Sequence, residues 1–277
     1  MSAATTHESA CTGPLAVDVR LSDGVCEIAA EERDTVSVEV APADAHADRD
    51  VGAAQGTVVS RQPNGLEVRV PKGAGTARLL GRAGRVRAVL RVPVGSDVVV
   101  RADGADVSVS GAVGDLAAET GSGAVTAERV HGDVRAETSS GDILLGSVGG
   151  GARLRSGTGN VRTGEVGGSS VDAVTSSGAL AVAAAGGDVR LKSGSGAVTL
   201  GSARVGTVTA STSSGRIRIG VAPGTRTEVK VSTSGGSVGG DLAAGRTDGA
   251  GLVRIHVTTG SGDIDVHGEE TKAVGEG

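Results

Sequence analysis

Aspartates that recur beside glycine are the first residues whose type and spacing could do chemistry, because repeated carboxylates can hold calcium. Six of them directly follow a glycine: Asp115, Asp133, Asp142, Asp188, Asp241 and Asp263. Calcium-binding β-rolls place this aspartate two positions before an aliphatic residue, whereas here it lies directly before one. Several copies carry Ala124, Ala179, Ala197 or Arg216 instead. Calcium needs about six or more converging oxygens, so we interpret Gly-Asp as a turn dipeptide. We predict no metal ligand and no cofactor, and keep a calcium-stabilised β-roll as an alternative.

No arrangement of histidines or carboxylates predicts catalysis. The histidines are scattered and share no repeated environment: His7, His46, His131, His256 and His267. Left-handed helix acyltransferases use a shared catalytic histidine on a six-residue repeat, which this chain lacks. Polysaccharide lyases and hydrolases need clustered charges and usually aromatics, but Asp172 and Asp265 are far apart and the chain has no Phe, Tyr or Trp. We therefore predict no enzyme and no catalytic residue.

A series of cations at outward strand positions is the most suggestive binding feature. The repeat aligns them on one predicted sheet: Arg135, Arg153, Arg155, Arg190, Lys192, Lys230 and Arg254, interrupted by Glu119, Glu137 and Asp172. Charges at such positions are commonly a solvated face that also discourages edge pairing. The alternative hypothesis is that these seven cations form a partner-binding surface, called the basic stripe below. Its ligand would be an unknown protein or an anionic polymer, such as a teichoic-type polymer, anionic lipid headgroups or an acidic protein.

The elements that must position these side chains follow a repeat of about eighteen residues. A turn rich in Gly and Ser occurs eight times: Gly121-Ser122-Gly123, Ser139-Ser140-Gly141, Gly157-Thr158-Gly159, Ser176-Ser177-Gly178, Gly194-Ser195-Gly196, Ser213-Ser214-Gly215, Ser234-Gly235-Gly236 and Gly260-Ser261-Gly262. Copies begin 18 or 19 residues apart as far as Ser213, and then 21 and 26 apart. An apolar alternating triplet precedes and follows nearly every turn, as at 116–118 and 125–127. Each coil is therefore predicted as strand, turn, strand and looser turn.

A hydroxyl recurs just before each turn. Its copies are Thr120, Thr138, Ser156, Thr175, Ser193, Thr212 and Thr233. Alternation at period two directs these residues inward, so we expect a ladder of hydroxyls that bond to one another or to the turn backbone. We expect the glycine that follows to supply the positive φ of a tight corner.

Composition agrees with a thin core. The chain has 48 Gly and no aromatic residue, so Val, Leu, Ile, Ala and Thr must fill the space between closely spaced sheets. We predict an all-β fold: a two-sheet parallel β-solenoid with about 18 residues per coil and an N-terminal β cap. The expected boundaries are a disordered tail at 1–13, the β cap at 14–97, the solenoid repeats at 98–266 and a disordered tail at 267–277.

Net charge and hydropathy limit the classes of partner that the chain is expected to bind. The net charge is −5, and without aromatics the chain has no stacking platforms, so we predict no nucleic-acid binding. No stretch approaches the roughly 20 apolar residues of a membrane span, and no secretory signal precedes Gly13. Cys11 and Cys26 have no disulfide or zinc spacing. We expect a cytoplasmic location by default, with export to the cell surface as the alternative.

Several segments resemble a known family. They are the opening Gly13-Pro14-Leu15-Ala16-Val17-Asp18-Val19, then Gly24-Val25, Ile28-Ala29-Ala30, Val36–Val40 followed by Pro42, Arg91-Val92-Pro93-Val94-Gly95-Ser96 and the repeated Thr-Ser-Ser-Gly-Asp-Ile and Gly-Ser-Gly-Ala-Val elements. Together these are similar to the bacterial putative-adhesin family of β-strand-repeat proteins, a domain family of unknown function. The resemblance covers roughly residues 14–266. It implies a β-repeat fold and no catalytic residues.

The function predicted from these observations is a non-catalytic repeat scaffold or adhesin-like interaction module that presents flat β faces to a partner. The alternatives are a structural protein that stacks end to end and the calcium-stabilised β-roll. We expect a monomer or weak self-association.

Overall fold

The structure is a computed structural model that describes residues 5–62, 64–71, 83–240 and 251–268. By contacts between its residues, the chain divides into two compact units, Met1–Gly146 and Ser147–Gly277. The tail expected at 267–277 lies outside the described residues from position 269 onward, whereas His267 and Gly268 are the end of a strand.

The described residues of the first unit form strands and one helix. Their bounds are β1 Thr5–Ala10, β2 Ala16–Leu21, β3 Asp23–Glu31, β4 Thr35–Pro42, α1 Asp48–Gln55, β5 Val58–Gln62, β6 Gly65–Arg69, β7 Arg85–Pro93, β8 Asp97–Ala102, β9 Asp106–Val113, β10 Leu116–Thr120, β11 Val125–Val130 and β12 Val134–Thr138. Strand β13, Ile143–Val148, contains the point at which the second unit begins. Within the first unit, sheet A has the order β1-β4-β7-β3-β9-β11 and sheet B the order β5-β6-β2-β8-β10-β12.

The pairing of the repeat strands confirms the predicted coil. Leu116 lies in register with Val134 in a parallel pair, one coil of eighteen residues further along the chain. Inward residues such as Leu116, Ala118, Val125 and Ala127 are buried, because period-two alternation sends every second side chain between the sheets. The all-β, two-sheet parallel fold class is therefore confirmed.

The N-terminal segment adds antiparallel strands to these sheets. Strand β4 pairs antiparallel with β7, β1 with β4, and β5 with β6. The disordered tail expected at 1–13 is wrong for Thr5–Ala10, which pairs with β4 along its length. Its side chains are mostly exposed, so the strand is held by main-chain hydrogen bonds and has no apolar pattern that would reveal it. Strands β2 and β3 pair parallel with β8 and β9, and the cap boundary at residue 97 stays a prediction.

The second unit continues the same alternation. Its strands are β14 Ala152–Ser156, β15 Val161–Val166, β16 Ser170–Thr175, β17 Leu180–Ala185, β18 Asp188–Ser193, β19 Val198–Ala203, β20 Gly206–Thr212, β21 Ile217–Val221, β22 Arg226–Thr233, β23 Val238–Gly239, β24 Leu252–Thr259 and β25 Ile264–Gly268. Sheet A of this unit has the order β15-β17-β19-β21-β25-β23, and sheet B the order β14-β16-β18-β20-β24-β22.

The last coil in the sequence is not the last coil in space. Strand β24 lies between β20 and β22, and β25 lies between β21 and β23. Ile255 of β24 is fully buried, whereas Val229, its register partner on β22, is only half-buried. Because a fully covered position favours the larger apolar side chain, the coil with isoleucines occupies the inner place, and the coil of β22 and β23 is outermost.

Candidate functional site

The hydroxyl ladder is a structural feature of the turns. The Thr175 Oγ1 donates to the Gly159 carbonyl oxygen at 3.1 Å and accepts from the Gly178 amide at 3.1 Å. The same pair of bonds is made by Thr120, Thr138, Ser193, Thr212 and Thr259. The predicted bonding of these hydroxyls to the turn backbone is confirmed, except that Thr259 of the inserted coil takes the place expected for Thr233. The Thr233 Oγ1 is buried without a hydrogen-bond partner among the described residues.

The turn glycines are needed for close approach and not for a positive φ. Gly141, Gly178, Gly196 and Gly215 are absent from the glycines with positive φ. A Cβ at Gly196 would lie 1.9 Å from the Gly178 carbonyl oxygen. The expected positive φ is therefore wrong: these corners stack so tightly that no side chain fits between the backbones of consecutive coils.

Two of the Gly-Asp carboxylates, and Asp97 eighteen residues before Asp115, also act within the fold. The Asp97 Oδ1 accepts the Asp115 amide at 2.9 Å, and the Asp115 Oδ1 accepts the Asp133 amide at 2.8 Å. The Asp188 Oδ1 accepts the Thr207 amide in the same way, at 2.8 Å. Each carboxylate thus caps the strand start of the next coil. Within the described ranges, no group of three or more His, Cys, Asp or Glu side chains is placed to hold a metal ion.

Two further groups have shifted acidity. Burial raises the pKa of the Cys26 thiol to about 12, so this core side chain stays protonated at neutral pH. Hydrogen bonds from the Ser237 hydroxyl and amide, and then from the Arg216 guanidinium, lower the pKa of Asp263. The Ser237 contacts, at 2.8 and 3.1 Å, tie the outermost coil to the inserted one.

Four members of the basic stripe meet on the outward face of sheet B in the second unit. Arg153 lies in register with Asp172 on β16, and Asp172 with Arg190 on β18. Val174 of β16 lies in the same way between Arg155 and Lys192. All four cations are exposed, and we call them the β14–β18 cluster.

One carboxylate interleaves with this cluster. The Arg153 Nε lies 3.9 Å from the Asp172 Oδ2, while the Asp172 Oδ1 is buried without a hydrogen-bond partner among the described residues. Asp188 is a second exposed carboxylate on the outward face of β18. Four cations and two carboxylates leave the outward face of β14, β16 and β18 positive. A local positive field of this kind attracts anions, and salt screens it over about 10 Å.

The other members of the stripe lie elsewhere. Lys230 on β22 is separated from Arg190 by two intervening strands, and its register partner is His256. Arg254 lies in register with Glu228, and its Nε contacts the Glu228 Oε2 at 3.1 Å. In the first unit, Arg135 contacts Glu137 at 2.8 Å and Glu119 at 3.9 Å. Within the second unit, Lys230 and Arg254 therefore lie apart from the β14–β18 cluster.

A second row of cations was not predicted. Arg69 of β6, Arg20 of β2 and Arg101 of β8 lie side by side in register on sheet B of the first unit. The three strands share a Val-Arg dipeptide, which is the signal that the sequence offered. Finding the row required the strand order β6-β2-β8, because the irregular spacing of this segment hides which strands are neighbours.

The comparisons with known proteins agree with this architecture. A family model described as Toastrack DUF4097 matches residues 16–267. A crystal structure of a putative adhesin from Parabacteroides merdae has a TM-score of 0.54 at 12% identity, covering 96% of this chain and 96% of that chain. A putative adhesin from Bacteroides fragilis has a TM-score of 0.43 at 12% identity, covering 95% and 96%. A putative lipid binding protein from Parabacteroides distasonis has a TM-score of 0.39 at 11% identity, covering 96% and 97%.

The likeness to the Parabacteroides merdae structure shows the fold alone. No match is found among curated proteins. No helix in the described part of the chain is long and apolar enough to cross a membrane.

Proposed function

The chain belongs to the Toastrack DUF4097 family, and on that premise we propose that it is a non-catalytic, adhesin-like scaffold that presents a flat sheet face to an anionic polymer. The β14–β18 cluster is the contact surface. Repeat proteins bind through extended faces more often than through a pocket, and a cell-surface location would suit such a partner.

The observation that carries this proposal is the register of three neighbouring strands. It sets Arg153, Arg155, Arg190 and Lys192 around Asp172 and Val174, two of the outward residues of β16. Neighbouring strands lie about 4.8 Å apart, so the cluster spans about 10 Å across the strands. That width suits a chain of repeated anionic groups lying over β16, contacted from both sides by guanidinium and ammonium groups.

The test is retention of the full chain on an immobilised teichoic-type polyol-phosphate polymer. Each exposed charge contact contributes about 0.5 kcal/mol, so the triple variant R153S/R155S/R190S should bind about tenfold more weakly. Binding of the wild type should also fall as salt is raised from 50 to 300 mM, about a twofold shorter screening length.

The control triple variant R162S/R204S/R218S changes the net charge by the same amount. These three arginines are exposed and lie outside sheet B. The control variant should bind as the wild type does, and circular dichroism should show that both variants are folded. Equal binding by the wild type and the cluster variant would overturn the proposal.

Self-association is a second candidate function, favoured by the outermost coil. Val229 and Val231 of β22 are only half-buried, and Val238 of β23 is 56% exposed. In the described part of the chain, each of these strands pairs on one side, and an unpaired strand edge favours pairing with a second copy of the chain. Sedimentation velocity should then show growth with concentration that V238K suppresses. A concentration-independent monomer would reject this candidate.

A further inference from the structure

The arginine row of the first unit lies at the mouth of a cleft. Arg69, Arg20 and Arg101 occupy neighbouring strands at the same level, and all three line a cleft of about 520 Å³. Leu21, Val70, Pro71 and Ala102 add an apolar part to the lining, and Asp103 and Glu119 add two carboxylates. Like charges in register on adjacent strands repel one another, so the row needs neighbouring carboxylates to hold it.

Two carboxylates hold the guanidinium groups in place. The Asp18 Oδ1 and Oδ2 accept hydrogen bonds from the Nε and Nη2 of Arg20, at 3.1 and 3.0 Å. The same Oδ2 accepts one from the Arg101 Nη1 at 3.3 Å. The Glu67 Oε1 accepts one from the Arg69 Nη2 at 2.6 Å.

These contacts leave donors for a ligand. A guanidinium has about five N–H donors in a planar fork, so each arginine keeps donors beyond those bound to carboxylates. On β2 and β6 the acids Asp18 and Glu67 lie two residues before the arginines. Leu21 and Val70 of the cleft come directly after the arginines, in the opposite direction along the strand. The acids therefore fix the arginines from one side, and the cleft opens on the other.

We propose that this cleft is a binding site for a ligand bearing two or more linked phosphate groups. The forked geometry of arginine matches phosphate oxygens with paired hydrogen bonds. Guanidinium groups on neighbouring strands recur at about 4.8 Å, which suits consecutive phosphates better than a single anion. Glu119 lies in register with Arg101 on the next strand, and it limits the site at that side by repelling anions.

The test uses inorganic pyrophosphate as the probe, titrated into the full-length protein by calorimetry. Each charge-assisted contact is worth about tenfold in affinity, so R20Q/R101Q, which removes two of the arginines, should weaken binding about a hundredfold. E119Q removes the bordering carboxylate and should strengthen binding. The β14–β18 variant R153S/R155S/R190S should bind pyrophosphate as the wild type does, although its net charge falls by more.

A vesicle arm identifies the source of the phosphate. Flotation with cardiolipin vesicles, whose headgroup links two phosphates, that needs Arg20 and Arg101 would assign the site to a lipid headgroup. Pyrophosphate binding without flotation would assign it to a soluble phosphate ligand. No pyrophosphate binding by the folded wild type, or equal binding by wild type and R20Q/R101Q, would overturn the proposal, whatever the fate of the polymer-binding face.

Discussion

Replacement of Thr175 by valine tests the hydroxyl ladder most directly. The side chain is 2% exposed, and its hydroxyl bonds to the Gly159 carbonyl oxygen and the Gly178 amide, each at 3.1 Å. Valine has the same shape but can make neither bond. Each buried backbone group left unpaired costs about 1–3 kcal/mol, and the added methyl returns up to about 1 kcal/mol. We expect T175V to lower the free energy of unfolding by about 2–4 kcal/mol.

The matched control is T175S, because Ser156 and Ser193 hold the same position in other coils. It keeps the hydroxyl and loses one methyl, so it should cost only about 1 kcal/mol. Urea unfolding followed by far-UV circular dichroism measures both variants, since the chain has no aromatic residue to report by fluorescence. Repeat arrays need not unfold in two states, so hydrogen exchange of the Gly178 amide supplies a local reading.

The hydroxyl ladder and simple hydrophobicity predict opposite orders of stability for T175V and T175S. Simple hydrophobicity and β propensity rank valine above serine in a buried strand, whereas the ladder ranks serine above valine. If T175V were as stable as T175S, with the Gly178 amide protected as in the wild type, the hydroxyl would not be the group that closes the turn.

Three further predictions follow from the same architecture. G196A should destabilise the protein by more than about 3 kcal/mol, because its Cβ would meet the carbonyl oxygen of the coil before it. S195A, at the exposed neighbouring position, should leave the stability unchanged. The urea midpoints of the two variants measure the difference. I255A should cost about 2–5 kcal/mol and V229A less than about 1 kcal/mol, and the reverse order would contradict the inserted position of β24. The Cys26 thiol should resist iodoacetamide at pH 8 until the protein unfolds. Because its pKa is raised from 9.0 to about 12, stability should fall as pH rises through that window, which C26A should abolish.

Much of the fold could be predicted because each coil repeats the physical problem of the one before it. An inward Val, Leu, Ile or Ala, a hydroxyl and a glycine turn recur with the coil, so eight copies amount to an internal alignment. The predicted role of the turn glycines was wrong. A positive φ and a close approach to the backbone of a neighbouring coil both require glycine, so the sequence cannot distinguish them. Only the stacking distance, which places the Gly178 oxygen 1.9 Å from a Cβ at Gly196, separates them.

The missed elements are those whose partners are distant in sequence. Strand β1 has no apolar alternation and is defined by its pairing with β4. The insertion of β24 depends on a comparison between Ile255 and Val229, because both coils carry the same pattern. The row of Arg69, Arg20 and Arg101 depends on the order of strands in a segment without a repeat. In each case the strand residues can be read from the sequence, whereas the order of the strands in the sheet is set by the relative stability of alternative pairings.

The division between constant and variable positions bears directly on function. The ladder position carries Thr or Ser, and the inward positions carry aliphatic residues with few exceptions, such as the buried Thr163. The fold therefore constrains both sets of positions. The outward positions of β14, β16 and β18 carry Arg153, Asp172 and Arg190 in one register row, and Arg155, Val174 and Lys192 in the next. Because threonine and alanine serve equally well at such positions in other coils, folding does not require cations there. A cluster that folding does not require is what the proposed contact with an anionic polymer would need.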